Sequence, residues 1–308
     1  MSWIFFALLP AALWAADNYI DKHVLDRYLG KYNPVILVLF LALSGLLISL
    51  VIPLFGVEIF GIAFTDVLAL LVSGVLFTFS TIPSSIALSQ MSPTYIAALF
   101  RTGPIFSYVL ALIFLSETLT IGQIAGGLFV IVGAITLSIE MNGKDNQKKK
   151  LKLVPLLLML LSSFMMAGNA LIFKAVSRNE LPFWQNIFWQ HIGLFVGGVI
   201  LFSFIKKYRN DFIDCIRSSG ARVLVWSSAS GIVGLGGRIS FYYATLFAPL
   251  AIVTTLTSFQ PAFSLLFGLI LARFIKSYKD KKPTRQQLTQ EVVSIGIILI
   301  GTVVLLNF

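Results

Sequence analysis

The sequence predicts an all-α integral membrane protein: ten transmembrane helices arranged as two inverted five-helix repeats around a central cavity. Three observations carry that prediction. The first is composition. Of 308 residues, 57% are hydrophobic and 12% charged, and the mean hydropathy is +0.91, whereas a soluble chain of this size carries about a quarter charged residues. The second is that the apolar residues fall into ten runs, each near the length of about 20 residues that crosses a bilayer core. The third is that the two halves of the chain repeat one another.

In order, the runs begin with Trp3–Ile20, which no basic stretch precedes, so it reads as a first membrane helix rather than a cleaved signal. Pro34–Leu54 and Asp66–Leu88 follow; in the latter Thr78, Thr81 and Pro83 mark a bend, with Ser84 and Ser85 able to satisfy freed backbone groups. Pro93–Phe114 opens on proline, where the missing N–H costs nothing, and carries Arg101-Thr102-Gly103-Pro104 near its middle. The turn Leu115–Thr120 leads into Thr120–Ile139, notched by Gly122, Gly126, Gly127 and Gly133. Leu153–Phe173, Phe183–Ile205, Val223–Leu246, Pro249–Ala272 and Glu291–Leu306 complete the set. Between the halves, Glu140–Lys152 is polar and lysine-rich and reads as a solvated linker. The organisation is therefore 1–139 as a first repeat, 140–152 as linker and 153–308 as a second repeat.

The repeat is visible in residues. Asp17-Asn18-Tyr19-Ile20-Asp21-Lys22 ends the first run, and Asn169-Ala170-Leu171-Ile172-Phe173-Lys174 ends the sixth, with Ile, Lys and Val in register at a shift of 152. Leu88, Pro93 and Pro104 resemble Ala244, Pro249 and Pro261. An odd number of helices per copy turns the second copy upside down, which is the architecture of carriers with a midplane site. Orientation follows from charge: nineteen of the 23 Lys and Arg lie in odd-numbered loops, two (Lys174 and Arg178) in even ones, and Arg101 and Arg238 inside runs. Cationic loops stay cytoplasmic, so both termini are expected outside, in a multi-pass protein of a bacterial plasma membrane.

Several classes fall away. The net charge of +10 sits between apolar runs, where it meets anionic headgroups on the cytoplasmic side, and no basic-aromatic patch speaks for nucleic acid. One cysteine and two histidines make neither a disulfide nor a multi-ligand metal site, and no cofactor is expected. A membrane enzyme would need carboxylates, histidine or metal arranged at membrane depth. No Walker-type phosphate loop is present. The expected partners are a small-molecule substrate and the bilayer, with a monomer sufficient to enclose the cavity.

The chain resembles the drug/metabolite transporter superfamily of EamA type over essentially its whole length. The resemblance is carried by the five-plus-five plan, Trp14 among small residues, Tyr243-Ala244-Thr245-Leu246-Phe247-Ala248-Pro249, and Leu115-Ser116-Glu117-Thr118-Leu119-Thr120 followed by Gly126 and Gly133. The second copy departs from it, since Arg273–Gln287 is long, basic and without a matching glutamate. Membership implies secondary transport or export of a small metabolite without ATP.

The candidate substrate-binding residues are Arg101, Arg238, Tyr108, Gln190, His191, Tyr242 and Gln260, with Tyr243 and Phe259 comparable. A cation inside an apolar helix is costly unless it faces protein or a wet cavity, so the arginines are read as anchors for an anionic group, against the plainer alternative of a structural pair. Asp17, Asn18, Asp21 and Asn169 are candidates for gating or coupling; the plainer reading pairs Asp21 with Lys22 or Arg27. Glu117 is read as a cap for the helix beginning near Thr120. The function expected is a secondary transporter moving a small polar or anionic, amino-acid-like metabolite by alternating access. The alternative is a flippase for a lipid or lipid-linked phosphate intermediate, with the arginines on the phosphate.

Overall fold

The structure is a computed structural model that describes residues 2–90, 96, 99–138, 153–177, 182–274 and 285–307. The proposed linker 140–152 lies outside these residues, as does the side chain of Arg101. Among the described residues there are helices and no strands. They are α1 (Ser2–Arg27), α2 (Ile36–Val51), α3 (Phe64–Gln90), α4 (Gly103–Leu115), α5 (Ile121–Ser138), α6 (Leu153–Ser177), α7 (Phe183–Phe204), α8 (Lys206–Ser219), α9 (Ala221–Thr245), α10 (Leu250–Leu256), α11 (Gln260–Phe274) and α12 (Arg285–Asn307). The described parts of the ten apolar runs are helical apart from end residues such as Pro34, Val35, Thr120, Ile205, Leu246 and Pro249. Six stretches, Trp3–Arg27, Ile36–Phe55, Phe64–Gln90, Val154–Ser177, Phe183–Phe204 and Leu250–Ile270, are long and apolar enough to cross a membrane. The protein is thus an all-helical, integral multi-pass membrane protein.

Local sequence explains the ends and the breaks. Gly56 (φ +74°) stops the 3-10 turn Ile52–Phe55 that extends α2, and Ser116 (φ +53°) closes α4 in the left-handed region. Thr120 and Gln123 cap α5 reciprocally: the Gln123 N–H donates to Thr120 Oγ1 at 3.1 Å and the Thr120 N–H to Gln123 Oε1 at 3.0 Å. The fourth and ninth runs are not single helices. Each is interrupted by a 3-10 turn, Phe100–Thr102 and Thr257–Phe259, just before Gly103-Pro104 and Gln260-Pro261. A proline has no N–H to close the preceding turn and turns its neighbour away from the helical region. α3 runs on through Pro83, and the hydroxyls around it bond back onto the backbone: Thr81 to Thr78 O at 2.7 Å and Ser84 to Thr81 O at 3.0 Å.

One element departs from the expectation of a loop. Lys206–Ser219 is the helix α8, with Lys206, Lys207 and Arg209 near its start and Cys215 fully buried. Phe212 packs on Phe40 at 4.9 Å and on Phe202 at 6.1 Å, so its apolar side closes the end of the bundle. The pattern is amphipathic, which an average over the whole stretch conceals.

The helices pair in a regular way. α1 lies along α9 and α6 along α3; α1 also meets α11, as α6 meets α4. α2 packs on α7, α4 on α10, and α5 on α12. The last contact is made by glycines: a Cβ on Gly126 would stand 2.5 Å from Leu305 N, and one on Gly301 2.8 Å from Gly126 O. Side chains pointing away from the bundle are large and apolar, with Leu54, Phe55, Ile121 and Phe204 each more than 80% exposed, as suits contact with lipid.

Candidate functional site

A cavity of about 210 Å³ lies between α1, α2, α3, α6, α9 and the broken ninth run. Its polar wall comes from two helix faces. On α1, Trp14, Asp17, Asn18 and Asp21 fall at i, i+3, i+4 and i+7; on α9, Ser227, Ser230, Gly231, Gly234 and Arg238 follow the same stripe. Asn169, Gln260, Thr81 and Ser84 complete the polar wall, and Leu41, Phe77 and Phe241 are among its apolar members.

The contact of α1 with α9 is set by missing side chains. A Cβ on Gly234 would stand 2.6 Å from Asp17 Oδ2, and one on Gly237 2.8 Å from Trp14 Nε1. On Gly231 it would collide with Ser44 Oγ of α2. Trp14 Nε1–H donates to Gly234 O at 3.1 Å. Close approach through small residues is how helices associate without a hydrophobic driving force between them. It brings Ser230 Oγ to 2.5 Å from Asp17 Oδ1 and 2.5 Å from Asp21 Oδ1. Asp21 therefore bonds across to α9, while Lys22 pairs with Asp26 at 3.0 Å; the expectation that Asp21 pairs with Lys22 or Arg27 is corrected. Asn18 Nδ2 is buried and has no hydrogen-bond partner among the described residues.

Arg238 is 3% exposed, and its guanidinium carbon stands 3.4 Å from the centroid of the Phe77 ring, a cation–π stack. None of its three nitrogens makes a well-formed hydrogen bond among the described residues; the Tyr242 hydroxyl is a polar contact and Asp17 a counter-charge. Five N–H donors are thus held at the cavity wall beside an aromatic face.

Behind Arg238 a chain of polar groups forms the cavity floor. The Tyr242 hydroxyl donates to Asn169 Oδ1 at 2.5 Å and accepts from Gln190 Nε2. Asn169 Nδ2 donates to Ser73 O at 2.7 Å and lies 2.8 Å from Ser73 Oγ. Tyr242 stacks on Phe173 with ring centroids 3.9 Å apart and a 17° tilt. His191 is fully buried, with Nδ1 2.7 Å from Ile187 O. Of the residues singled out from sequence, the cavity wall gathers Arg238, Tyr242, Gln260, Asp17, Asn18, Asp21 and Asn169. Gln190, His191 and Tyr108 stand outside the wall, the first two behind it.

The wall reaches toward the helix ends at Asp21, Leu37, Leu88 and Ile96, the side of the odd-numbered loops. The opposite half is filled by a packed core that includes Phe173, Phe241, Tyr242, Leu250 and Leu115. A buried ion pair lies at that end: Lys174 Nζ is 2.7 Å from Glu117 Oε1 and donates to Ala248 O at 2.8 Å, while Glu117 Oε2 accepts the Leu250 N–H at 3.0 Å. The expectation that Glu117 caps α5 is corrected: it caps α10, because Thr120 and Gln123 already satisfy the start of α5. Sequence reasoning missed Ser230, Phe77 and this ion pair. The first was findable, since Ser227, Ser230 and Arg238 share the helical stripe of Gly231 and Gly234.

Comparison with known proteins places these features. Residues 1–139 match the EamA-like transporter family. An uncharacterized transporter of Clostridium kluyveri is 30% identical over 151 residues, and the match spans 48% of this chain and 47% of that one. An uncharacterized protein of Methanocaldococcus jannaschii is 28% identical over 140 residues, 44% of this chain and 96% of its own length. The chain thus spans about half the length of the first of these relatives. A crystal structure of another protein superposes with a TM-score of 0.66 over 99% of this chain and 96% of its own, at 14% identity, a likeness of fold alone. Residues 1–139 are thus similar to the EamA-like transporter family.

Proposed function

We propose that the protein is a secondary transporter that moves a small polar or anionic metabolite through this cavity by alternating access. The observation that carries the reading is Arg238: a buried guanidinium on the cavity wall, stacked on Phe77, touched by the Tyr242 hydroxyl and making no well-formed hydrogen bond among the described residues. A buried cation left so is unfavourable, and an incoming carboxylate or phosphate oxygen would satisfy it with charge-assisted bonds. Tyr242, Asn169 and Gln260 would orient the remaining polar groups of the substrate, and Phe77, Phe241 and Trp14 its apolar part.

The mechanical part of the reading rests on the pairing of helices. The contacts of α1 with α9 and α11 have counterparts in those of α6 with α3 and α4, as two inverted five-helix repeats, 1–139 and 153–308, require. One pair lacks an equal counterpart, for α3 is packed closely along α7 whereas α9 meets α2 more sparsely. That asymmetry supports a state closed at the even-loop end, with the exchanged state obtained by swapping the two arrangements. With the basic loops in the cytoplasm, the cavity is reached from inside and both termini lie outside, in the plasma membrane of a bacterium.

The experiment is thermal unfolding of the detergent-purified protein against a metabolite panel sorted by charge. A ligand at about a hundred times its dissociation constant adds about 2.7 kcal/mol of stability. Stabilisation by carboxylates or phosphates that disappears in folded Arg238→Gln is the expected result. Stabilisation that survives Arg238→Gln unchanged, or that comes only from lipids, overturns the reading.

A further inference from the structure

Two carboxyl groups share one hydroxyl. Ser230 Oγ is within hydrogen-bond distance of both Asp17 Oδ1 and Asp21 Oδ1, yet a serine has a single hydrogen to donate. If that hydrogen goes to one carboxylate, the other contact opposes two oxygens that hold only lone pairs. It becomes a hydrogen bond when the second carboxyl is itself protonated and donates its O–H to Ser230 Oγ. We propose that Asp17 and Asp21 hold one proton between them across Ser230, and that this pair is the proton site of the carrier.

The surroundings fit a site that exchanges its proton. Both aspartates line the cavity rather than the sealed core. From α9 the charged or titratable groups near the pair are Arg238, which interacts with Asp17, and Tyr242. On α1 itself Lys22 is engaged by Asp26. The described cavity-wall residues that α2, α3, the fourth run, α6, α10 and α11 contribute, such as Leu41, Thr81, Ser107, Asn169, Thr254 and Gln260, include no ionisable side chain, and His191 of α7, outside the wall, feels the charge of Arg238. Arg238 is the independent sign of a ligand here, buried, on the same wall and with none of its nitrogens in a well-formed hydrogen bond among the described residues.

The charges close simply. With one proton bound, the pair carries one negative charge, which Arg238 balances. Release breaks one carboxyl O–H bond as an O–H bond forms on a cavity water, gives up the hydrogen bond which that carboxyl donated to Ser230 Oγ, and leaves two carboxylates facing one guanidinium. An anion seated on Arg238 would neutralise that guanidinium and so oppose the release. Anion and proton are therefore held together and leave together. This coupling rests on the reading of Arg238 as the anion anchor, whereas the shared proton does not.

Infrared spectroscopy of the purified protein at pH 8 tests it. Exposed aspartates are ionised there, so a protonated-carboxyl C=O band that moves on carbon-13 labelling of aspartate belongs to a buried acid. The expected result is such a band in the wild type, its downshift within minutes in D₂O, and its loss in Asp17→Asn and in Asp21→Asn. An absent band, or one that persists in both folded variants, refutes the shared proton. A band that does not shift in D₂O marks a locked structural proton and overturns the coupling role. None of these outcomes touches the ligand-stabilisation test with Arg238→Gln, so the two readings fail separately.

Discussion

Removing the Lys174 ammonium strands a carboxylate. Lys174 and Glu117 expose only 9% and 11% of their side chains, with 2.7 Å between the charged atoms. In Lys174→Met, Glu117 keeps the Leu250 N–H but loses its counter-charge, and the Ala248 carbonyl loses its donor. Breaking a buried pair from one side costs about 3–5 kcal/mol, and Glu117→Gln, which strands the ammonium instead, is expected in the same range. The double variant has neither of these two charges, while the introduced amide would still offer its oxygen to the Leu250 N–H. It should therefore fall about 2–3 kcal/mol short of the sum of the singles. Equilibrium unfolding in mixed detergent–SDS micelles, followed by tryptophan fluorescence, measures all four proteins on one scale. Losses that add to within about 0.5 kcal/mol would refute the reasoning, because the two groups would then contribute as independent polar contacts and the pair could not act as a clasp between the turn before α5 and the start of α10.

Two further outcomes follow from the same geometry. Tyr242→Phe removes the hydroxyl that joins Gln190 to Asn169 and should cost about 1–3 kcal/mol in the same unfolding assay; a change under about 0.5 kcal/mol would mean that the two amides find other partners. Gly234→Ala places a methyl group 2.6 Å from Asp17 Oδ2 and should destabilise by about 1–3 kcal/mol. Its neighbour makes the control: at Gly236 the nearest atom to an added Cβ is Leu13 Cδ1 at 3.8 Å, so Gly236→Ala should be neutral or stabilise by up to about 1 kcal/mol. Equal effects at the two positions would refute the claim that Gly234 is there to admit α1.

Much of this was legible in the chain because membrane helices write long, uninterrupted signals. Hydropathy placed the apolar helices, six of them in stretches long enough to cross a membrane, but α3 runs on as one helix through Pro83, where a bend was expected, and the breaks before Pro104 and Pro261 were not foreseen. Arg238 stood out because a cation within an apolar run demands an explanation. Partnership was less legible. Glu117 lies a few residues before a helix it could cap, and its actual partners, Lys174 and Leu250, are 57 and 133 residues away; local spacing favoured the wrong helix. Asp21 misled in the same way, since its sequence neighbour Lys22 bonds to Asp26 while Asp21 crosses to another helix. Ser230 carries no signal by type, being one of several serines in α9, and acquires meaning only when two aspartates converge on it. The amphipathic α8 was obscured by its charge, which read as a cytoplasmic loop.

The stripe of Gly231, Gly234 and Gly237 also fixes where this protein can vary. At Gly234 and Gly237 any side chain at all would alter the distance between α1 and α9, and with it the separation of two carboxyl groups from a shared hydroxyl, while at Gly231 it would press on Ser44 of α2. Tolerance should be lowest there although nothing at those positions touches a substrate. The freedom to accept a different cargo lies instead at Leu41, Ser84 and Thr254, where volume and polarity can change without moving a helix or unseating Arg238 from Phe77. In the proposed reading Arg238, Asp17 and Asp21 share one wall, so that a library built on Leu41, Ser84 and Thr254 should yield carriers of altered cargo that keep the same dependence on acid.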